Sequence, residues 1–149
     1  MIGALDSSGL LDPACAVFVE AAESMRTTFH RAIDVSASSQ QALDQAISYG
    51  FTRVLTSGRS RSVLDGAPLI KDLVAQAAGA IEVMACGGVR ASNALQVVAA
   101  TGVADLHAAV RSPVRGDAGL FAGVGVPEGF DRFETDADGV AALCSVIRG

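Results

Sequence analysis

Three times along this chain a glycine is followed, three residues later, by a charged side chain and a short apolar run. The copies are Gly50-x-x-Arg53-Val54-Leu55-Thr56, Gly79-x-x-Glu82-Val83-Met84-Ala85 and Gly102-x-x-Asp105-Leu106-His107-Ala108. A repeat of this kind constrains the fold more than any single residue, because each copy must be one supersecondary unit that buries its apolar face against its neighbours. Each glycine ends a segment of helical periodicity: Leu43, Ala46 and Ile47 before the first, Leu69, Ile70, Leu73, Val74 and Ala77 before the second, Leu95, Val98 and Ala99 before the third. Glycine there reads as a left-handed helix C-terminal cap. Helices alternating with short strands predict βαβ units and a parallel sheet.

Two more units flank these three. Asp12 and Pro13 predict the start of a helix whose packed face is Ala14, Val17, Phe18, Ala21, Ala22 and Met25. Downstream, residues 112–129 are Gly- and Pro-rich without periodicity and predict a long loop, and Thr135-Asp136-Ala137-Asp138 resembles a capping box before Val140, Leu143, Cys144 and Ile147. Strands are expected at 2–5, 28–33, 53–56, 81–85 and 105–110, in one domain covering 1–149. Alternation along each strand puts Thr28, His30, Arg53, Leu55, Ser57, Glu82, Met84, Cys86, Asp105, His107 and Ala109 on the inner face of a (β/α)8-type barrel. Val54, Ile81, Val83, Leu106 and Ala108 then lie under the helices.

A formal charge of −5 without a Lys/Arg cluster removes the footprint that a nucleic-acid backbone requires. No run approaches the roughly 18 apolar residues of a membrane span, and the N-terminus lacks a basic, then apolar, leader. A cytoplasmic location is the simplest expectation. Cys15, Cys86 and Cys144 are too widely spaced for a zinc finger or a disulfide framework, and Cys15 and Cys144 fall among apolar helix residues as small hydrophobes.

The polar motifs gather where strands end, the end at which barrel enzymes build their sites. His30, Arg31 and Asp34 form a candidate acid–base and anion-binding cluster, since imidazole titrates near neutrality and guanidinium grips carboxylate or phosphate in two places. The alternative is that Arg31 pairs with Asp34 to close the strand end while His30 packs inside. Gly87 and Gly88, followed by Ser92 and Asn93 at a helix start, suit an anion held by backbone N–H groups, or else a tight turn that needs glycine. Met84, Cys86, His30 and His107 are soft or borderline donors that suit Cu(I), unless Met84 only fills a core layer and the histidines are hydrogen-bonded. Arg53, Glu82 and Asp105 open their strands at the opposite end, where a layer of opposite charges serves stability.

In order and spacing, Thr28-Phe29-His30-Arg31-Ala32-Ile33-Asp34, Arg53-Val54-Leu55-Thr56-Ser57-Gly58, Val83-Met84-Ala85-Cys86-Gly87-Gly88-Val89-Arg90 with Asn93, and Leu106-His107 resemble the CutC family of copper homeostasis proteins. The likeness runs from about Ile2 to Pro113; Cys86 departs from it, standing where the family often has a third glycine. It implies a (β/α)8 barrel, which typically needs about 250 residues, so the chain is expected to be a partial α/β barrel of about five strand–helix units that begins near the fourth strand. Unpaired sheet edges would favour a homo-oligomer that completes the sheet. The implied function is copper homeostasis, with a small anionic or phosphorylated ligand held by Arg31, Gly87, Gly88, Ser92 and Asn93, and with Cys86, Met84 and His30 as candidate Cu(I) ligands. The competing readings are an enzyme in which His30 or His107 moves a proton on a phosphorylated metabolite, with Arg31 and Asp34 in the same cluster, and an inactive remnant.

Overall fold

The computed structural model describes residues 1–114 and 132–148. Four strands, β1 (Thr28–Phe29), β2 (Arg53–Thr56), β3 (Glu82–Ala85) and β4 (Asp105–Leu106), pair in chain order and all in parallel. The segments before them supply α1 (Ala14–Ala21), α2 (Ser39–Ser48), α3 (Ala67–Ala77) and α4 (Ala94–Thr101). The periodic residues do what their spacing requires. Leu43, Ala46, Ile70, Leu73, Ala77 and Val97 are buried against Phe29, Val54, Val83 and Ala85, so the core lies between the helices and one face of the sheet. Gly50 and Gly102 take left-handed backbone at their helix ends, with φ of 82° and 76°.

The register carries information that the repeat does not. Arg53 pairs with Glu82, as the repeat predicts, but Asp105 pairs with Met84, two residues further along β3. Such a stagger between parallel strands is what closing a sheet into a barrel requires. It leaves the inward set unchanged, since a shift of two preserves the face, and it moves His107 level with Cys86; the His107 N–H donates to the Ala85 carbonyl at 2.8 Å. At the other end the charged layer forms as expected. Arg53 bonds Glu82 through Nη2 at 2.8 Å and reaches Asp105 at 3.7 Å, and Arg26 also pairs with Glu82.

Several expected elements are shorter. The strand expected at 2–5 is a single rung, Ile2 against Phe29, after which Asp6 Oδ1 accepts from the Ser8 and Leu10 N–H groups and turns the chain back so that Leu5 faces Leu11. The strand expected at 28–33 stops at Phe29 and gives way to a 3-10 turn over Arg31–Val35. Two hydrogen-bond sinks win there. His30 Nδ1 accepts from Ala32 N–H at 3.1 Å, and Asp34 is drawn onto the end of β2. The strand expected at 105–110 stops at Leu106, and Arg111–Val114 forms β5, antiparallel to β6 (Arg132–Thr135). Residues 112–114 of the expected loop are therefore strand, and 115–129 lie outside the described residues. Before α5 (Ala137–Arg148) the cap is Asp136, whose Oδ1 accepts from Gly139 N–H at 2.9 Å; Thr135 belongs to β6.

Helix α1 reverses expectation. Asp12 does start it, accepting from Ala14 N–H at 2.8 Å. Its inward residue is Cys15, however, while Val17, Phe18 and, just beyond the helix, Met25 are exposed. The apolar face read as packed is the face turned outward.

Candidate functional site

The site is built around a buried carboxylate. The 3-10 turn carries Asp34 to the end of β2, where Oδ1 accepts from Thr56 Oγ1 (2.6 Å) and Arg59 N–H (3.2 Å), and Oδ2 accepts from Ser57 Oγ (3.0 Å) and Arg31 Nε (2.8 Å). The Ser57 N–H bridges both oxygens. Burial pushes the Asp34 carboxyl upward, but the hydrogen bonds from Thr56, Arg31, Ser57 and Arg59 together outweigh it and hold the group below the usual aspartate value. A carboxylate so fully engaged has no lone pair to spare as a base. Its chemical work is to fix Arg31, whose Nη2 also donates to Ser57 Oγ at 2.7 Å while about half of the side chain stays exposed.

Beside Arg31 a cleft of about 250 Å³ opens along the ends of β2, β3 and β4. Leu55 and Cys86 face it from the strands, the Gly87-Gly88 loop and Arg90 from the β3–α4 connection, and His107 and Arg111 from the far side. Gly87 and Gly88 have φ of 108° and 82°; a Cβ on Gly87 would press on Ser57 Cβ at 3.0 Å, whereas one on Gly88 would meet nothing within 4 Å, so the loop is glycine-dependent and is open at Gly88. The two carbonyls are engaged, that of Gly87 by Val63 N–H and that of Gly88 by Asn93 Nδ2. Asn93 Oδ1 in turn accepts from Arg90 N–H at 2.8 Å. Arg90 donates through Nη1 to the Val89 carbonyl, and the Arg111 guanidinium stacks 4.6 Å from the Phe133 ring centre. Among the described residues only Arg31 of these three arginines makes an ion pair, so the cleft carries an excess of positive charge.

The sequence-predicted residues divide accordingly. Arg31, Gly87, Gly88, Cys86 and His107 share the cleft. Asn93 ties the glycine loop down with both ends of its amide, and Ser92 lines the adjoining cavity. His30 lies after β1, against Gly3 and stacked on Phe29, while His107 follows β4; β2 and β3 stand between them. Asp34 sits beneath Arg31. Sequence reasoning did not assign Thr56, Ser57, Arg90 or Arg111 to the site. Thr56, Ser57 and Arg90 stand inside the quoted motifs, but nothing local marks a serine at a strand end as a carboxylate ligand.

For a metal, the candidate donors are less well gathered. Met84 lies one inward step below Cys86 on β3, whereas His30 is two strands from β3 with its Nδ1 already accepting a backbone N–H. Burial pushes the Cys86 thiol to about 11, with Asp34 reinforcing and Arg31 opposing, so it is a thiol at neutral pH. Among the described residues no three His, Cys, Asp or Glu side chains are grouped to hold a metal ion. The set Cys86, Met84 and His30 is spread over the ends of β1 and β3, with β2 between them.

A parallel sheet with staggered strands, helices over one face and a polar cleft at the C-terminal strand ends defines an α/β protein of the partial (β/α)8-barrel type. The comparisons agree on the family. The CutC family profile matches residues 1–112. A CutC family protein of Xanthomonas campestris pv. campestris (strain 8004) is 46% identical over 115 residues, covering 76% of this chain and 48% of the relative. One from Histophilus somni (strain 2336) is 35% identical over 148 residues, covering 96% of this chain and 61% of the relative. The crystal structure of the putative copper homeostasis protein CutC from Streptococcus agalactiae superposes with a TM-score of 0.66 at 34% identity, covering 71% of this chain and 53% of that one. This chain belongs to the CutC family, and it spans about half the length of the relatives it matches.

Proposed function

We propose that the chain carries the anion-binding end of a CutC-type barrel and holds a small phosphate- or carboxylate-bearing ligand between the Gly87-Gly88 loop and the arginines around it. One observation carries this reading: three guanidiniums line a single cleft beside an open glycine loop, and only one of them is neutralised by an ion pair among the described residues. An anion there gains charge-assisted hydrogen bonds, which are about twice as strong as neutral ones. Arg31 is preset by Asp34 and Ser57, so little side-chain freedom is lost when it binds. The copper homeostasis named for the Streptococcus agalactiae protein is the proposed cellular setting, in the cytoplasm. Cys86 and Met84 with His30 make a poorly converged Cu(I) site, and the anion reading is preferred to it. A second reading, proton transfer to or from the bound ligand, is favoured at His107 because it lines the same cleft.

Phosphate titration followed by amide NMR tests the main reading. Shifts are expected at Gly87, Gly88, Arg31 and Arg111. Arg111→Gln should weaken binding about tenfold, the loss of one charge-assisted contact, and Gly88→Val should abolish it, both by filling the cleft and by straining the left-handed backbone at this position. Shifts confined to Arg53, Glu82 and Asp105 at the opposite end of the strands, or none at all, would sink it.

A further inference from the structure

The anion cleft does not end at its arginines. Arg90 and Arg111 also line a second cavity of about 400 Å³, between the start of α4 and the first turn of α5, with Ser92, Asp136, Gly139 and Ala142 on its walls. The two spaces share these arginines in their linings, which otherwise differ in kind. The first offers guanidiniums and a glycine loop. The second adds a hydroxyl at Ser92 and a carboxylate at Asp136. Asp136 accepts from Gly139 N–H through one oxygen and from Ser112 Oγ through the other, and the Asp138 N–H also bonds to it, which leaves about one of its four lone-pair positions open. A second anion would be repelled there, whereas a hydroxyl would be received, since a carboxylate only accepts hydrogen bonds and a hydroxyl donates them. Both arginines are exposed. The Arg111 Cζ lies 4.6 Å over the Phe133 ring, a contact that uses none of its N–H donors.

From this arrangement we infer that the ligand is a phosphorylated polyol or sugar. Its phosphate sits by Gly87-Gly88, Arg90 and Arg111, and its hydroxylated body extends past the arginines toward Ser92 and Asp136. The inference rests on the anion reading above and adds the ligand's second half. It accounts for why the same two arginines line both spaces.

Calorimetric titration of the whole chain with inorganic phosphate, ribose 5-phosphate and ribose separates the parts. Ribose 5-phosphate should bind roughly tenfold more tightly than phosphate, the effect of one or two net hydrogen bonds, and ribose alone should show no measurable binding. Ala142→Trp, on an exposed turn of α5, should fill the second cavity and erase the sugar's advantage while leaving phosphate affinity unchanged. Asp136→Asn, which keeps an N-cap acceptor, should remove part of the same advantage without unfolding α5. Equal affinities for phosphate and ribose 5-phosphate would overturn this inference and leave the anion reading standing. Binding of neither would overturn both. An advantage that survives Ala142→Trp would show the body lies elsewhere and overturn the placement.

Discussion

Asp34 shows how much one side chain can organise. It is almost fully buried and collects hydrogen bonds from Thr56, Ser57, Arg59 and Arg31, which join the end of β1 to the end of β2. Asp34→Asn keeps the shape but removes the charge that Arg31 and the backbone N–H groups are arranged around. We expect a loss of about 2 kcal/mol, the range for a buried charged hydrogen-bond acceptor, read as a lower urea midpoint, together with weaker phosphate binding because Arg31 is no longer held. The pH dependence has a definite sign. The folded carboxyl titrates below its free value, so its contribution is complete above about pH 4 and is lost as pH falls through the lower, folded value. Acid titration of the wild type should therefore show destabilisation in that window that is smaller in Asp34→Asn. Equal acid sensitivity of the two proteins would contradict the assignment.

At the level of elements, what holds the site is the closeness of two backbones. Gly58, just after β2, and Gly66, just before α3, pack against each other so tightly that a Cβ on Gly66 would collide with the Ser57 carbonyl oxygen and lie 2.9 Å from Gly58 Cα. Gly66 has an ordinary negative φ of −84°, so space alone demands glycine there. Gly66→Ala should cost roughly 1–3 kcal/mol as an overpacked contact and displace Ser57, loosening Arg31. A thermal melt compared with Gly79→Ala, whose Cβ would meet nothing within 4 Å, separates the steric effect from backbone strain. A larger loss in Gly79→Ala would mean that conformation, not contact, governs these glycines. The helices and the strands β2 and β3 were legible in the sequence because their periodicity is local. The early stop of β1 was not, since it depends on Thr56 and Ser57, more than twenty positions away from Asp34.

For the whole molecule the prominent fact is the outward apolar face of α1. Val17 and Phe18, neighbours on α1, are 64% and 59% exposed, and Met25 just beyond the helix is 69% exposed. Among the described residues the sheet edge at β1 is covered by a single bridge, to Ile2. Exposed apolar side chains and a poorly covered strand edge each favour association. Light scattering should show the chain gaining mass with concentration, and Phe18→Glu should reduce that while leaving the helical circular dichroism unchanged. A monodisperse monomer with cooperative unfolding at every concentration would refute this.

The sequence by itself determined the units. Repeats of helix, glycine and strand set the element order, and alternation set which side chains of β2, β3 and β4 face inward, because both follow from φ/ψ periodicities that act over a few residues. Family membership was also legible, since it resides in short motifs at strand ends. Only the tertiary structure decided the two-residue stagger between β3 and β4, which brings His107 level with Cys86, the return of the chain that places Arg111 at the cleft, and the sharing of Arg90 and Arg111 between two cavities. Strand register depends on pairing between segments that are distant in sequence, and every even shift satisfies the same inward–outward pattern. The pattern along one strand therefore fixes the face of a residue, and the neighbouring strand fixes its height.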